Sequence, residues 1–284
     1  MKEMITALQR LYFLPGQQWH SQHPGADAKP AYAAEGLLTP ALMATGLTGE
    51  KTIGLNLASA DGMARAMLIN FKKASDWELA ANLYLAVQND LDLPAPAVSV
   101  SGNKGYGLWF SLSESLPVTE AHAFLEALRL KYLPDLPADS LELCPGSGMQ
   151  SVMNLVPSLH GTTGKWSAYI DPSLGSMFMD EPWLEIAPNL DKQADILASL
   201  ESIRTEDFQK ACIALATATQ PEAKSPVMTH PDAVPARLNI NTPYTDPESF
   251  LFAVMNDPSA SPRHRISAAK ALLPYFRKNV GSPD

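Results

Sequence analysis

The sequence predicts an α+β fold, and three observations indicate it. An apolar run at 64–71 is typical of a buried strand. The segment at 75–91 then shows the apolar spacing of an amphipathic helix. A glycine-containing turn at 101–105 joins two further apolar runs, which indicates a β-hairpin.

The predicted elements follow one another as β-α-β-β-α-β. Strands are expected at 64–71, 96–101, 106–112 and 150–156, and helices at 75–91 and 118–133. This order is that of the ferredoxin-like or RRM-like split unit. We expect one face of its sheet to be open. Three more helices are expected near 3–13, 191–203 and 205–218.

Two of the helices carry sequence signals for their first residues. Ser75 and Glu78 have the spacing of a capping box for the helix at 75–91. Thr119 is expected to start the helix at 118–133.

Composition divides the chain into four segments. Residues 1–50 combine one helix with a Pro/Gly-interrupted stretch that predicts no clear element. Residues 51–218 hold the predicted α+β domain. Residues 219–245 are rich in Pro, Thr and Ala and indicate a linker, and residues 246–284 predict a hairpin of two short helices.

Composition and charge narrow the classes of function. The chain has 284 residues, of which 46% are hydrophobic and 18% charged, as in a globular protein. No apolar run approaches the roughly 18 residues that cross a bilayer, so we expect a cytoplasmic protein with no membrane partner. Cys144 and Cys212 are far apart in sequence, which indicates neither a disulfide framework nor a zinc site. The net charge of -9 argues against tight non-specific DNA binding by the whole chain.

Three polar segments could meet on the open face of the sheet. Their candidate residues are Ser101, Asn103 and Lys104 in the glycine turn, His160, Thr163 and Lys165 around two glycines, and Asp171 at a strand end. Glycines, hydroxyls and cations of this kind suit an anionic oxygen. Each segment also has an ordinary interpretation, as a hairpin turn, a surface histidine or an aspartate that starts a turn.

The order and spacing of these segments resemble the archaeo-eukaryotic primase superfamily, which has the primase-polymerase fold. The stretch SGNKGYGLWFSLSESLPVTEAHAFLEAL, from Ser101 to Leu128, is similar to the second motif of that family and its following helix. The stretch LVPSLHGTTGKWSAYID, from Leu155 to Asp171, is similar to a later segment. The resemblance covers about residues 50–190 and is closest to domains of phage, plasmid and conflict-system proteins. It implies a core of primase-polymerase type and a site for the phosphates of a nucleotide.

The resemblance also implies that the metal-binding part of such a site is absent. The Asp-x-Asp motif of the family aligns with Asn70 and Lys72, and its motif histidine aligns with Gly107. Asp171 is then the one remnant of the catalytic set. Two Mg²⁺ ions need several carboxylates, and a lysine repels a divalent cation. We therefore expect no cofactor, and Mg²⁺ or Mn²⁺ only if other positions supply the ligands.

The remaining polar residues could still bind a nucleotide or nucleic acid without a metal. Those residues are Ser101, Asn103, Lys104, His160, Thr163 and Lys165. A fold that persists only as a scaffold is an equally open alternative.

The C-terminal segment has a resemblance of its own. The stretch FLFAVMNDPSASPRHRISAAKALLPYF is similar to a short helical segment of small phage proteins, including some small terminase subunits. Arg263, Arg265 and Lys270 could contact phosphates there. The apolar stripe of the same helix favours a protein partner, or self-association through residues 246–284.

Three hypotheses follow. The first is a catalytically degenerate primase-like protein of a phage or mobile element, which binds nucleotide or nucleic acid in replication, packaging or host conflict. The second is an active primase-polymerase with relocated metal ligands. The third is a non-enzymatic phage assembly or packaging adaptor.

Overall fold

The structure is a computed structural model that describes most of the chain. The described residues are 1–15, 17–22, 38–146, 152–219, 247–256, and the positions 265, 268, 269 and 272. The chain divides into two compact units, Met1–Ala223 and Lys224–Asp284. Residues 1–22 and 38–50 therefore belong to the same unit as the predicted α+β domain.

Seven helices are seen in the described residues. They are α1 (Lys2–Tyr12), α2 (Pro40–Leu47), α3 (Trp77–Asn89), α4 (Val118–Tyr132), α5 (Leu190–Ala198), α6 (Thr205–Thr219) and α7 (Pro247–Asn256). Short 3₁₀ helices cover Ala74–Asp76, Ala138–Ser140 and Pro172–Phe178.

Eight strands are seen in the described residues of the first unit. They are β1 (Gln17–Gln22), β2 (Thr52–Ser59), β3 (Met63–Phe71), β4 (Ala97–Val100), β5 (Tyr106–Pro117), β6 (Leu141–Cys144), β7 (Val152–Asn154) and β8 (Ala168–Ile170). The strand order is β1-β2-β3-β5-β4-β8, with β6 on β3 and β7 on β2, and the strands pair antiparallel.

The predicted α+β core is confirmed, with one strand reassigned. The order β3-α3-β4-β5-α4-β6 gives the sheet β6-β3-β5-β4, which is the ferredoxin-like arrangement. Its last strand is β6 and not the strand expected at 150–156. The strand in that later region is β7, and it pairs with β2 instead. The four residues of β6 were missed because so short a run has no detectable period.

The sheet packs on both faces, so the expectation of an open face was wrong for most of its length. One face packs against α3, α4 and α6 through residues such as Phe110, Phe124 and Phe208. The other face packs against α1, with the Tyr12 ring 5.5 Å from that of Trp109. Leu55 of β2 belongs to this second core.

Helix starts differ in detail from the capping signals. Helix α3 begins at Trp77, after the 3₁₀ turn, and no side chain caps it. The Ser75 hydroxyl lies 3.3 Å from the carboxylate of Asp76 instead. At α4 the capping position is held by Pro117, also without a side-chain hydrogen bond. The apolar periods therefore located both helices correctly, whereas the proposed cap residues were wrong.

The second unit is described only in part. Helix α7 agrees with the first helix predicted for residues 246–284. Positions 265, 268, 269 and 272 are helical, whereas the start signal at Ser261-Pro262 lies outside the described residues. The expected linker at 219–245 lies outside them beyond Thr219. In the described parts of the chain, no helix is both long and apolar enough to span a membrane.

Candidate functional site

The glycine turn between β4 and β5 is held by its own serine. The Ser101 hydroxyl oxygen accepts hydrogen bonds from the backbone N–H groups of Asn103, Lys104 and Gly105, at 3.2, 3.0 and 3.0 Å. Gly102 has a φ of +75°, which few other residues adopt. Its N–H donates to the carbonyl of Pro182 at 3.1 Å. The turn is therefore rigid, and its N–H groups already converge on one oxygen.

A cleft of about 370 Å³ opens beside this turn. It lies where β3 and β4 end and β5 begins. The lining residues are Leu68, Asn70, Phe71, Lys72, Ser99, Ser101, Asn103, Lys104, Gly105, Gly107, Trp109, Met153, Asn154, Val156, His160 and Ser167. This volume falls in the range of small-molecule sites.

The sheet register arranges one wall of the cleft in three rows, which run across neighbouring strands. The inner row is Leu68 and Trp109, and the middle row is Asn70, Gly107 and Ser99. The outer row is Lys72, Gly105 and Ser101, which lie one position beyond the last paired residues of their strands. The rows change from apolar to neutral polar to cationic. Successive rows are two positions apart along the chain, so the inner and outer rows lie about 13 Å apart.

The outer end of the cleft is positively charged. Lys72 and Lys104 are exposed there. None of the described residues that line the cleft is an aspartate or a glutamate. This is unusual in a chain whose net charge is -9. The cleft therefore favours an anionic ligand over a cation.

His160 lies at the rim, opposite the glycine turn. Its Nδ1 accepts a hydrogen bond from the Thr163 N–H at 3.3 Å. Its Nε2 lies 3.5 Å from the amide nitrogen of Asn103. Partial burial lowers the pKa of His160 below its usual value of 6.5. The ring is therefore neutral at pH 7 and offers hydrogen bonds rather than charge.

Two of the predicted phosphate ligands have other partners and do not line the cleft. The Thr163 hydroxyl donates to the carbonyl of Gly102 at 2.9 Å, which ties its loop to the glycine turn. Lys165 forms an ion pair with Glu185, and its ammonium lies 5.9 Å from the ring centre of Trp183. Ser101, Asn103, Lys104 and His160 do come together at the cleft.

The positions aligned with the Asp-x-Asp motif face the cleft with other chemistry. The Asn70 side-chain amide donates to the carboxylate of Glu142 at 3.2 Å, and Lys72 follows at the end of β3. Glu142 lies directly opposite Asn70 in the β3–β6 register. Sequence reasoning missed Glu142, because strand β6 itself was not predicted. Its only signal was a carboxylate between two leucines after α4.

Gly107 occupies a position with no room for a side chain. A Cβ built there would lie 2.8 Å from the Ser99 hydroxyl and 2.9 Å from the Trp109 indole nitrogen. Those two atoms are themselves hydrogen-bonded, because the indole N–H donates to the Ser99 hydroxyl at 2.9 Å. The sheet at this point is therefore packed around a glycine, where the resembled family has a histidine.

Asp171 does not reach the cleft. It follows β8 at the end away from the glycine turn, because Ala168 pairs with Val100 and Ile170 with Val98. Its carboxylate is exposed and accepts the N–H and hydroxyl of Ser173, at 2.9 and 2.6 Å. These hydrogen bonds lower the pKa of Asp171. Asp171 thus acts as the cap of the 3₁₀ helix Pro172–Phe178.

The cationic residues of the second unit are described only at one position. Arg265 is exposed, and its Nε donates to the carbonyl of Met255 in α7 at 2.9 Å. Arg263 and Lys270 lie outside the described residues.

Comparison with known proteins gives structural neighbours only. No family model matches the sequence, and neither does any curated protein. The structure is similar to the AEP domain of the cyanophage S-2L primase-polymerase, at 12% identity and a TM-score of 0.42, over 69% of this chain and 97% of that one. It is also similar to the polymerase domain of Mycobacterium tuberculosis ligase D solved in complex with DNA, at 14% identity and a TM-score of 0.46, over 69% of this chain and 86% of that one. The superfamily that the motifs resemble is thus also represented among the structural neighbours, and at these values the likeness concerns the fold alone.

Proposed function

We propose that this protein binds the phosphate groups of a nucleotide or nucleic acid in the cleft, without two-metal catalysis. The observation that carries the proposal is the outer end of the cleft, where Lys72 and Lys104 stand with no acidic lining residue among those described. Charge-assisted hydrogen bonds from lysine to phosphate oxygens are among the strong polar contacts of proteins. Ser101, Asn103 and His160 add neutral polar groups beside them.

The residues at the metal-ligand positions do not fit a pair of magnesium ions. Mg²⁺ prefers an octahedron of oxygen ligands with carboxylates among them. Here Asn70 and Lys72 stand at two of those positions, and the carboxylate of Glu142 already accepts the Asn70 amide. Asp171 lies at the far end of its strand. The donor set therefore favours a catalytically degenerate protein over an active primase-polymerase.

The biological setting is proposed from the motif resemblance alone. We infer a primase-like protein of a phage or mobile element, with a role in replication, packaging or host conflict. A protein partner, or self-association through residues 246–284, belongs to the same proposal.

A binding experiment with divalent metal as a variable tests the function. The melting temperature of the full chain is measured with nucleoside triphosphates and with short DNA and RNA strands, each with EDTA, Mg²⁺ or Mn²⁺. We expect at least one of these ligands to raise the melting temperature in EDTA, because binding to the native state stabilises it. Replacing Lys104 by Ala should weaken binding about tenfold or more, since hydrogen bonds to charged groups contribute about 1.5–3 kcal/mol. Lys73→Ala is the matched control, because Lys73 is exposed beside Lys72 but does not line the cleft.

Two results would contradict the proposal. One is the absence of stabilisation by every phosphate-bearing ligand. The other is primer synthesis or extension that requires Mg²⁺ or Mn²⁺, which would establish the active alternative with relocated metal ligands.

A further inference from the structure

A second cavity, of about 420 Å³, lies between the C-terminal half of β5 and helices α4 and α6. It shares no lining residue with the cleft beside the glycine turn. Its volume is within the range of small-molecule sites. The phosphate-binding function proposed above makes no use of it.

The floor of this cavity is fixed by the core. Leu112 of β5 forms a parallel bridge with Ile203, whose N–H donates to the carbonyl of Ser111 at 2.8 Å. The ring centre of Phe208 in α6 lies 4.9 Å from that of Phe124 in α4. Leu112, Ile203 and Phe208 are themselves buried. The cavity is therefore preformed, and a ligand would meet the more exposed side chains above this floor.

Three apolar side chains line the accessible part of the cavity. Leu116 and Cys212 are half-buried, and Ile213 is 68% exposed. Burial and the negative charge of Glu120 raise the pKa of the Cys212 thiol. The thiol is therefore uncharged at pH 7 and behaves as a small apolar group. An apolar ligand body would gain free energy by covering these side chains.

The other ionisable groups in the lining are carboxylates. They belong to Glu114 and Glu120, which are both exposed. The Glu114 carboxylate accepts the Thr205 hydroxyl at 3.0 Å, which orients it. None of the described lining residues is a lysine, an arginine or a histidine. The cavity thus combines negative charge with an apolar surface, whereas the outer end of the cleft is cationic.

We propose that this cavity binds a small organic cation with an apolar body, such as an alkylamine or an arylalkylamine. Its ammonium group would lie at Glu114 and Glu120, and its body would cover Leu116, Cys212 and Ile213. A fatty acid would place its carboxylate against the two glutamates. A small inorganic cation would leave the three apolar side chains uncovered. The ligand has the opposite charge to that of the phosphate site, so the two proposals can fail independently.

Calorimetry on the full chain at pH 7.5 separates charge from apolar contact. The probes are hexylamine, 2-phenylethylamine, 1-hexanol, hexanoate and methylamine. We expect the better of the two larger amines to bind at least about fivefold more tightly than hexanol, hexanoate or methylamine. Hexanol or hexanoate that binds as tightly overturns the role of the carboxylates, and methylamine that binds as tightly overturns that of the apolar body. No binding of either larger amine overturns the whole inference and leaves phosphate binding intact.

Carboxylate variants locate the ammonium group. Glu114→Gln and Glu120→Gln, made together, should weaken binding of the better amine at least about fivefold and leave hexanol binding unchanged. The matched control is Glu50→Gln with Glu78→Gln, which removes the same charge at two exposed positions outside the cavity lining. Equal losses in the two double variants would assign the preference to the net charge of the chain and overturn the proposed site.

Cys212 reports the occupancy of the cavity without any substitution. A methanethiosulfonate reagent modifies accessible thiols, and mass spectrometry follows the reaction at both cysteines. Saturating amine should slow the modification of Cys212 at least about fivefold, whereas hexanoate should not. Cys144 is buried and serves as the internal reference for opening of the fold. Amine binding that leaves the rate at Cys212 unchanged overturns the proposed position of the ligand.

Discussion

At the scale of single residues, His160 links the cleft to the stability of the chain. Its Nδ1 can accept the Thr163 N–H only while the ring is unprotonated at that nitrogen. Burial lowers the pKa of His160, so the folded state takes up its proton at a lower pH than the unfolded chain, whose histidines titrate near 6.5. The unfolded state therefore binds more protons between those two values.

The sign of the pH dependence follows from this difference. The stabilising contribution of neutral His160 is fully present above about pH 6.5, and it is lost as the pH falls towards the lowered pKa of the folded state. The free energy of unfolding should decrease between pH 7.5 and 5.5, and it should decrease less in His160→Gln. Urea denaturation of both proteins at pH 7.5, 6.5 and 5.5 measures this free energy. An identical decrease in both proteins would show that another group causes the pH dependence. His20 is one such group, because burial lowers its pKa as well.

At the scale of elements, one hydrogen bond joins the loop after β7 to the glycine turn. The Thr163 hydroxyl donates to the Gly102 carbonyl, and the neighbouring Thr162 makes no such bond to the turn. Thr163→Val keeps the shape of the side chain and removes this donor. We expect the backbone amides of the turn to exchange hydrogen faster, because the loop no longer holds it.

Thr162→Val is the matched control for this change. Both threonines are exposed, so the loss of a surface hydroxyl is the same in the two variants. Hydrogen exchange followed by mass spectrometry over residues 98–112 compares them. Equal exchange rates in the two variants would show that the Thr163 hydrogen bond does not hold the turn, and that Ser101, Pro182 and the His160–Asn103 contact are sufficient.

The elements also explain which parts of the structure the sequence could predict. Helices α3 and α4 and strands β3, β4 and β5 were found because their apolar periods are local properties of the chain. Strand β6 is too short to show a period, and β1 and β2 are defined by pairing between distant segments. Glu142 was missed along with β6.

For the candidate site residues, too, local arrangements could be predicted and long-range ones could not. Ser101, Asn103 and Lys104 lie within one turn, so their proximity could be predicted from spacing alone. Asp171 was placed at a strand end correctly, but the end of the sheet at which it lies depends on the β4–β8 register. Lys165 is paired with Glu185, twenty positions further along, which no local pattern reveals.

At the scale of the whole molecule, the cleft belongs entirely to the first unit, Met1–Ala223. A chain that ends at Ala223 should therefore retain the affinity of the full chain for its best phosphate-bearing ligand. Calorimetry on the two proteins measures this affinity. A loss of more than about tenfold in the shortened chain would contradict the prediction. Sedimentation of the same pair tests the proposed self-association through residues 246–284, because the shortened chain should then have the smaller oligomer.

Helix α1 has a further consequence through its place on the sheet. Tyr12 packs against Trp109 and Tyr169 and so seals the space beyond the inner row. The cleft is closed by the core at this inner end. A ligand in the proposed phosphate site would therefore enter and leave through the outer end of the cleft, beside Lys72 and Lys104.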